Sequence, residues 1–125
     1  METIQIEETA KTPFIKFNAQ EGRLTIKGKS ITENAHKFYN PIINDWLEEY
    51  ALNPHEKTTA NIELEYFNTS SSMWILRLFK KLEEMNGKGH KIIVNWLYSD
   101  EDIYNAGEDY QELVSIPFNL IEVEP

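Results

Sequence analysis

The sequence predicts an α/β domain built on a mostly parallel, mixed sheet of about five strands, in the order β-β-α-β-α-β-α-β. Three observations predict it. Short blocks of alternating apolar and polar residues recur along the chain, as half-buried strands require. Between them lie stretches in which apolar residues recur every three or four positions, the signature of amphipathic helices. Strand and helix patterns alternate after the first two strands, and parallel strands need such helical crossovers.

Each element has a local cause. Residues 1–11 are polar and threonine-rich and are expected to form a loose lead-in. Phe14-Ile15-Lys16-Phe17 and Leu24-Thr25-Ile26-Lys27 alternate and flank the turn-like Asn18-Ala19-Gln20-Glu21-Gly22, which reads as a hairpin closed by Gly28. Ser30-Ile31-Thr32-Glu33 has capping-box spacing before a helical stripe of Ala35, Phe38, Tyr39, Ile42, Ile43, Trp46, Leu47 and Tyr50. Pro41 interrupts that stripe and is expected to kink the helix, or to restart it with Asn40 as cap. Ala60 to Phe67 alternates as a strand. Ile75, Leu78, Phe79, Leu82 and Met85 then share one helical face, which Gly87-Lys88-Gly89 ends. His90 to Tyr98 is rich in Ile, Val, Trp and Tyr and reads as a central strand. Asp100-Glu101-Asp102 suits the first turn of a helix with Ile103, Tyr104, Tyr110 and Leu113 inward, and Pro117 to Val123 reads as the last strand.

Composition bounds the function. The 125 residues suit one domain spanning 1–125, able to bury about two-thirds of its unfolded surface without a metal or disulfide. No cysteine is present, so thiol chemistry is excluded, and a reducing compartment fits. No apolar run approaches the roughly 18 residues of a membrane span, and nothing reads as a signal peptide, so a cytoplasmic location without membrane insertion is expected. A net charge of −9, from 21 acidic against 12 basic residues, opposes nucleic-acid binding. It fits either simple solubility or an acidic docking surface.

No cofactor, metal or catalytic constellation is indicated. His36, His55 and His90 are widely spaced, and Gly87-Lys88-Gly89 lacks the lysine and hydroxyl that complete a phosphate loop. The carboxylates at Glu48-Glu49, Glu83-Glu84 and Asp100-Glu101-Asp102 read as solvated faces or helix ends. A non-enzymatic protein is expected.

The candidate site is Asn68-Thr69-Ser70-Ser71-Ser72, at the carboxyl end of the third strand and the start of a helix. In α/β sheets ligands favour that end. A helix N-terminus offers unpaired N–H groups and a partial positive charge, which accommodate a phosphate. Helix capping explains the same residues, and the local pattern alone does not separate the two. Trp74, directly after the serines, is either an exposed interface anchor or part of the core.

Several segments carry a resemblance. Thr12-Pro13, Gly22-Arg23-Leu24, Glu33-Asn34, Asp45-Trp46 and Tyr66-Phe67-Asn68-Thr69-Ser70-Ser71 match in order, followed by Leu82-Glu83-Glu84, Val94-Asn95-Trp96-Leu97-Tyr98 and Ser115-Ile116-Pro117-Phe118. From about residue 12 onward the chain resembles SiaC-type regulatory phosphoproteins, whose STAS-like fold is shared with anti-sigma-factor antagonists. The resemblance implies that Thr69 is phosphorylated by a serine/threonine protein kinase and dephosphorylated by a PP2C-type phosphatase. It further implies that the unphosphorylated form binds and stimulates a diguanylate cyclase with a GGDEF domain, raising cyclic di-GMP as in biofilm control. Asn68, Ser70, Ser71, Ser72 and Trp74 would then form the switch loop around Thr69. Two other readings compete. An acidic inhibitor or immunity-like protein would bind at low salt and ignore Thr69. A small-molecule-binding STAS-like domain would need a sizeable apolar pocket beside the loop.

Overall fold

A computed structural model describes all residues, 1–125. Six strands form one sheet: β1 (Ile4–Ile6), β2 (Phe14–Asn18), β3 (Arg23–Ser30), β4 (Lys57–Phe67), β5 (Lys91–Tyr98) and β6 (Phe118–Glu122). They lie side by side in chain order, with β1, β2 and β3 antiparallel and β3 to β6 parallel. A helical run crosses from β3 to β4: α1 (Ala35–Asn40), a π-helical stretch (Pro41–Trp46) and α2 (Leu47–Leu52). Helix α3 (Thr69–Gly87) joins β4 to β5, and α4 (Glu101–Leu113) joins β5 to β6. Parallel crossovers take one hand, so strands added steadily in one direction place every crossover helix on the same face. Alternation along the strands agrees with this. Ile15, Phe17, Leu24, Ile26, Ala60, Ile62, Val94, Trp96 and Phe118 are buried beneath the helices. The opposite face carries Lys16, Thr25, Asn61, Asn95 and Asn119 in one cross-strand row, and its asparagines are linked at 2.9 and 3.1 Å.

The core is one cluster of buried side chains centred on Trp96, which is fully buried and donates from Nε1 to the Ile103 carbonyl at 2.8 Å. Gly107 of α4 fits because it has no Cβ. A Cβ there would lie 2.4 Å from Trp96 Cδ1 and 2.7 Å from Leu120 Cδ2. The glycine thus sets how closely α4 approaches the sheet.

Several sequence expectations need correction. The sheet has six strands, because the lead-in is not loose throughout: Ile4–Ile6 pairs with β2, and the indole of Trp46 donates to the Glu2 carbonyl at 2.8 Å. A three-residue edge strand is too short to show alternation. Asn34, not Ser30, caps α1, its side chain accepting from the Lys37 N–H, while Ser30 ends β3 fully buried. Pro41 opens a π-helical stretch within the continuing helical run, and Asn40 makes no side-chain cap there. The missing N–H is absorbed by widening the turn, and the Leu47 N–H bonds to the Ile42 carbonyl five residues back. Gly28 does not close its strand but sits at a register shift within it, at φ 119°, where a Cβ would meet a Glu8 carboxylate oxygen. At the end of α4, Leu113 faces solvent, and Tyr104 lies half-exposed against the Tyr98 ring.

Candidate functional site

The site forms where the carboxyl ends of β3 and β4 meet the start of α3. At Gly28/Lys29 the register slips: Gly28 opposes Leu64, but Lys29 opposes Tyr66, leaving Glu65 as the extra residue of a bulge. The extra residue reverses the alternation. Tyr66 therefore turns outward, 62% exposed, and Phe67 turns in against Trp96 and Tyr110.

Asn68 then takes an extended conformation and caps α3, its Oδ1 accepting from the Ser71 N–H at 3.0 Å. Its side-chain amide donates to the Thr32 carbonyl, and its own N–H to the Ser30 carbonyl, both at 3.0 Å. The cap is thereby tied to the end of β3 and to the segment before α1.

The four hydroxyls that follow are not equivalent. Ser70 Oγ donates to Asn68 Oδ1 at 3.3 Å, and Ser72 Oγ donates to the Thr69 carbonyl at 2.7 Å. Ser71 is fully buried, its Oγ 2.8 Å from that of Ser30, which lies 2.6 Å from the Tyr39 hydroxyl. Thr69 is exposed, and its hydroxyl has no protein partner. It opens a helix of 19 residues whose leading N–H groups have no intrahelical acceptor. Its one-turn neighbour Met73 is 56% exposed. Two exposed large side chains thus lie near Thr69 along the chain, Tyr66 at the end of β4 and Met73 one turn into α3.

The structure brings Asn68, Thr69, Ser70 and Ser72 to the surface turn but places Ser71 and Trp74 beneath it. Trp74 is 5% exposed and packs on Tyr39, with the His36 ring against it and the Arg77 guanidinium 4.4 Å above. It is the floor of the site, not an exposed anchor. Covering by α1 buries it, which the spacing within α3 does not reveal. Sequence reasoning missed Tyr66 and Met73. Met73 was legible, since it lies off the apolar stripe and one turn after Thr69. Tyr66 was not, because simple alternation from Ala60 points it inward.

Burial and hydrogen bonding hold the underlying hydroxyl network rigid. The Tyr39 phenol is pushed up to about 12, mainly by burial and against the opposing effect of its Ser30 hydrogen bond. Tyr110 is raised also, again mainly by burial, and donates to the Ser72 carbonyl at 2.8 Å. Both remain neutral donors at physiological pH. Ser30→Ala strips both Tyr39 and Ser71 of a shared buried partner. We expect it to lower stability by about 1–3 kcal/mol, read as a reduced urea midpoint at unchanged slope. An unmoved midpoint would refute the network's structural role.

Beside the turn, a cleft of about 180 Å³ separates β4 from α4, lined by Glu65, Tyr66, Phe67, Asp100, Asp102 and Ile103. It exists because β5 pairs with β4 only as far as Ile62, while β4 runs on to Phe67. It is smaller than the roughly 300–1,000 Å³ of small-molecule pockets, and its carboxylates disfavour anions. No helix is long and apolar enough to cross a membrane.

Comparison with known proteins gives the same picture throughout. The model of a family described as "SiaC family regulatory phosphoprotein" matches residues 6–123. An uncharacterized protein of Pseudomonas aeruginosa (strain UCBPP-PA14) is 30% identical over 122 residues, covering 96% of each chain. The crystal structure of apo-SiaC from Pseudomonas aeruginosa is 29% identical and superposes with a TM-score of 0.91, over 98% of this chain and 100% of that one. SiaC in the crystal structure of the diguanylate cyclase SiaD with its activator SiaC, also from Pseudomonas aeruginosa, gives 29% identity and a TM-score of 0.90, over 96% and 99%. With its fold and nearly its whole length matched, the chain belongs to the SiaC family of regulatory phosphoproteins.

Proposed function

We propose that this chain is a non-catalytic partner switch of the cytoplasm, whose unphosphorylated form binds and activates a diguanylate cyclase. Phosphorylation of Thr69 by a serine/threonine kinase blocks that binding, and a PP2C-type phosphatase restores it. Asn68, Ser70, Ser71 and Ser72 hold the turn in shape, and Trp74 supports it from below. The observation that carries the reading is the exposed, unpartnered hydroxyl of Thr69 at the start of α3, one turn before the exposed Met73. The related SiaC, crystallised with the cyclase it activates, supports the choice of target.

The chemistry is consistent at each step. A kinase needs a hydroxyl that is free to enter its active site, and Thr69 is the hydroxyl of the run that gives up no hydrogen bond on leaving. The N-terminal N–H groups of α3 tolerate the phosphate without refolding the domain. The same phosphate stands at the start of α3, in the surface that a partner would cover. Activation requires tighter binding to the active cyclase than to the inactive one, since an activator shifts an equilibrium only by its differential affinity.

The test combines two measurements. Peptide mapping of the protein from its own cells, across growth conditions, is expected to find one phosphoryl group on Thr69. Adding the purified unphosphorylated chain to its cyclase is expected to raise cyclic di-GMP formation. Consistent absence of phosphate from residues 68 to 72, or a cyclase rate unmoved by the chain, would overturn the corresponding half of the proposal.

A further inference from the structure

At the opposite end of the sheet from Thr69, we infer a binding site for a small phosphomonoester, in a cleft between the α3–β5 loop and the segment leading into β6. The cleft measures about 520 Å³ and is lined by Lys57, Asn86, His90, Lys91, Ile93 and Pro117 among others. That volume lies within the range of small-molecule sites.

The register creates its charge. Lys57 and Lys91 open β4 and β5 and are direct cross-strand partners. They stand abreast on the sheet face away from the helices, on backbones about 4.8 Å apart. Like charges directly opposite one another are unfavourable. Neither lysine lies within ion-pair distance of a carboxylate, whereas Arg23, Lys27, Lys80 and Lys81 each do. Only four of the 12 basic residues lie within ion-pair distance of a carboxylate, so an unpaired lysine is ordinary here; what sets Lys57 and Lys91 apart is that the register places them directly opposite one another. Residues 86–91 contain no acid. Glu56, exposed beside Lys57, is the one carboxylate in the neighbouring stretch 55–57.

The arrangement suits a dianion more than a monoanion. Two ammonium groups side by side offer six N–H donors. A phosphomonoester brings nearly two negative charges and three acceptor oxygens, where a carboxylate brings one charge. Asn86 and His90 supply further polar contacts at the rim, and Ile93 and Pro117 give an apolar wall for the body of the ester. The site is independent of the Thr69 switch, since it lies at the amino ends of the strands and Thr69 beyond the carboxyl end of β4.

The test is a titration of the full chain at low ionic strength with phenyl phosphate, inorganic phosphate and phenol, followed by amide chemical shifts. Phenyl phosphate is expected to shift the amides of Lys57 and residues 89–93 saturably, more tightly than inorganic phosphate, while phenol does not saturate. The double variant Lys57→Gln/Lys91→Gln is expected to bind about tenfold or more weakly. Both lysines are exposed, so its spectrum away from the cleft should be unchanged. Binding equal in the double variant, shifts spread over all the lysines, or saturation by phenol as tight as by phenyl phosphate would each overturn the assignment. Thr69→Glu is expected to bind phenyl phosphate as the parent chain does, which keeps this test separate from that of the switch.

Discussion

Thr69→Glu and Thr69→Asp are expected to weaken binding to the cyclase about a thousandfold while leaving the domain as stable as before, or slightly more so. Thr69→Ala should bind like the parent chain. The two effects of the acidic substitutions have opposite signs because they act through different surroundings. Within the domain, a carboxylate on the first turn of α3 interacts favourably with the helix N-terminus, by about 0.3–1 kcal/mol. In the proposed complex, the same charge has to be desolvated in an interface that covers the start of α3. Without a cationic partner that costs several kcal/mol, and about 4 kcal/mol corresponds to a thousandfold. Thr69→Ala removes a hydroxyl that bonds to nothing in the domain, and Asn68 still caps the helix. Calorimetric titration of the three variants against the cyclase, with thermal melts of each alone, checks both signs together. Equal affinity of all three variants would sink the switch, and weakened binding accompanied by lost stability would point to a damaged fold instead.

Trp96→Ala is expected to lower stability by about 3–5 kcal/mol, a large part of the roughly 5–15 kcal/mol of a whole domain. The indole is fully buried, with the rings of Phe67, Phe79, Tyr110 and Phe118 centred 5.4 to 6.4 Å away. Removing it opens a cavity that rigid neighbours cannot fill. It also leaves the Ile103 carbonyl without its indole donor. Trp96→Phe should cost less, since a ring remains, yet more than a surface change, since the hydrogen bond is still lost. Urea unfolding of the two variants gives the order. A loss below about 1 kcal/mol for Trp96→Ala would show that α4 settles onto the sheet without it.

How far the sequence was legible follows the range of the forces involved. The run Ile75, Leu78, Phe79, Leu82 and Met85 declares its helix because the 3.6-residue turn is local, and all five side chains are buried. Ala60, Ile62 and Leu64 declare their strand for the same reason. The alternation failed one turn of the pleat later, at Tyr66, because a bulge depends on pairing with β3, some forty residues earlier in the chain. The capping of α1 was misplaced for a similar reason. Ser30 has the right spacing for a cap, but a buried bond to Tyr39 claims its hydroxyl.

The sequence by itself therefore determined the α/β class, the order of helices and strands after residue 12, and a hydroxyl-rich turn at a helix start. These rest on periodicity, chirality and turn chemistry acting within a few residues. Tertiary structure alone decided which side chains of that turn face outward. It buried Ser71 and Trp74 under α1, turned Tyr66 out through the bulge and left Thr69 without a partner. It also set Lys57 beside Lys91, thirty-odd positions apart in the chain. Burial and cross-strand adjacency are properties of packed surfaces, and packing brings together residues whose separation along the chain carries no trace of the contact.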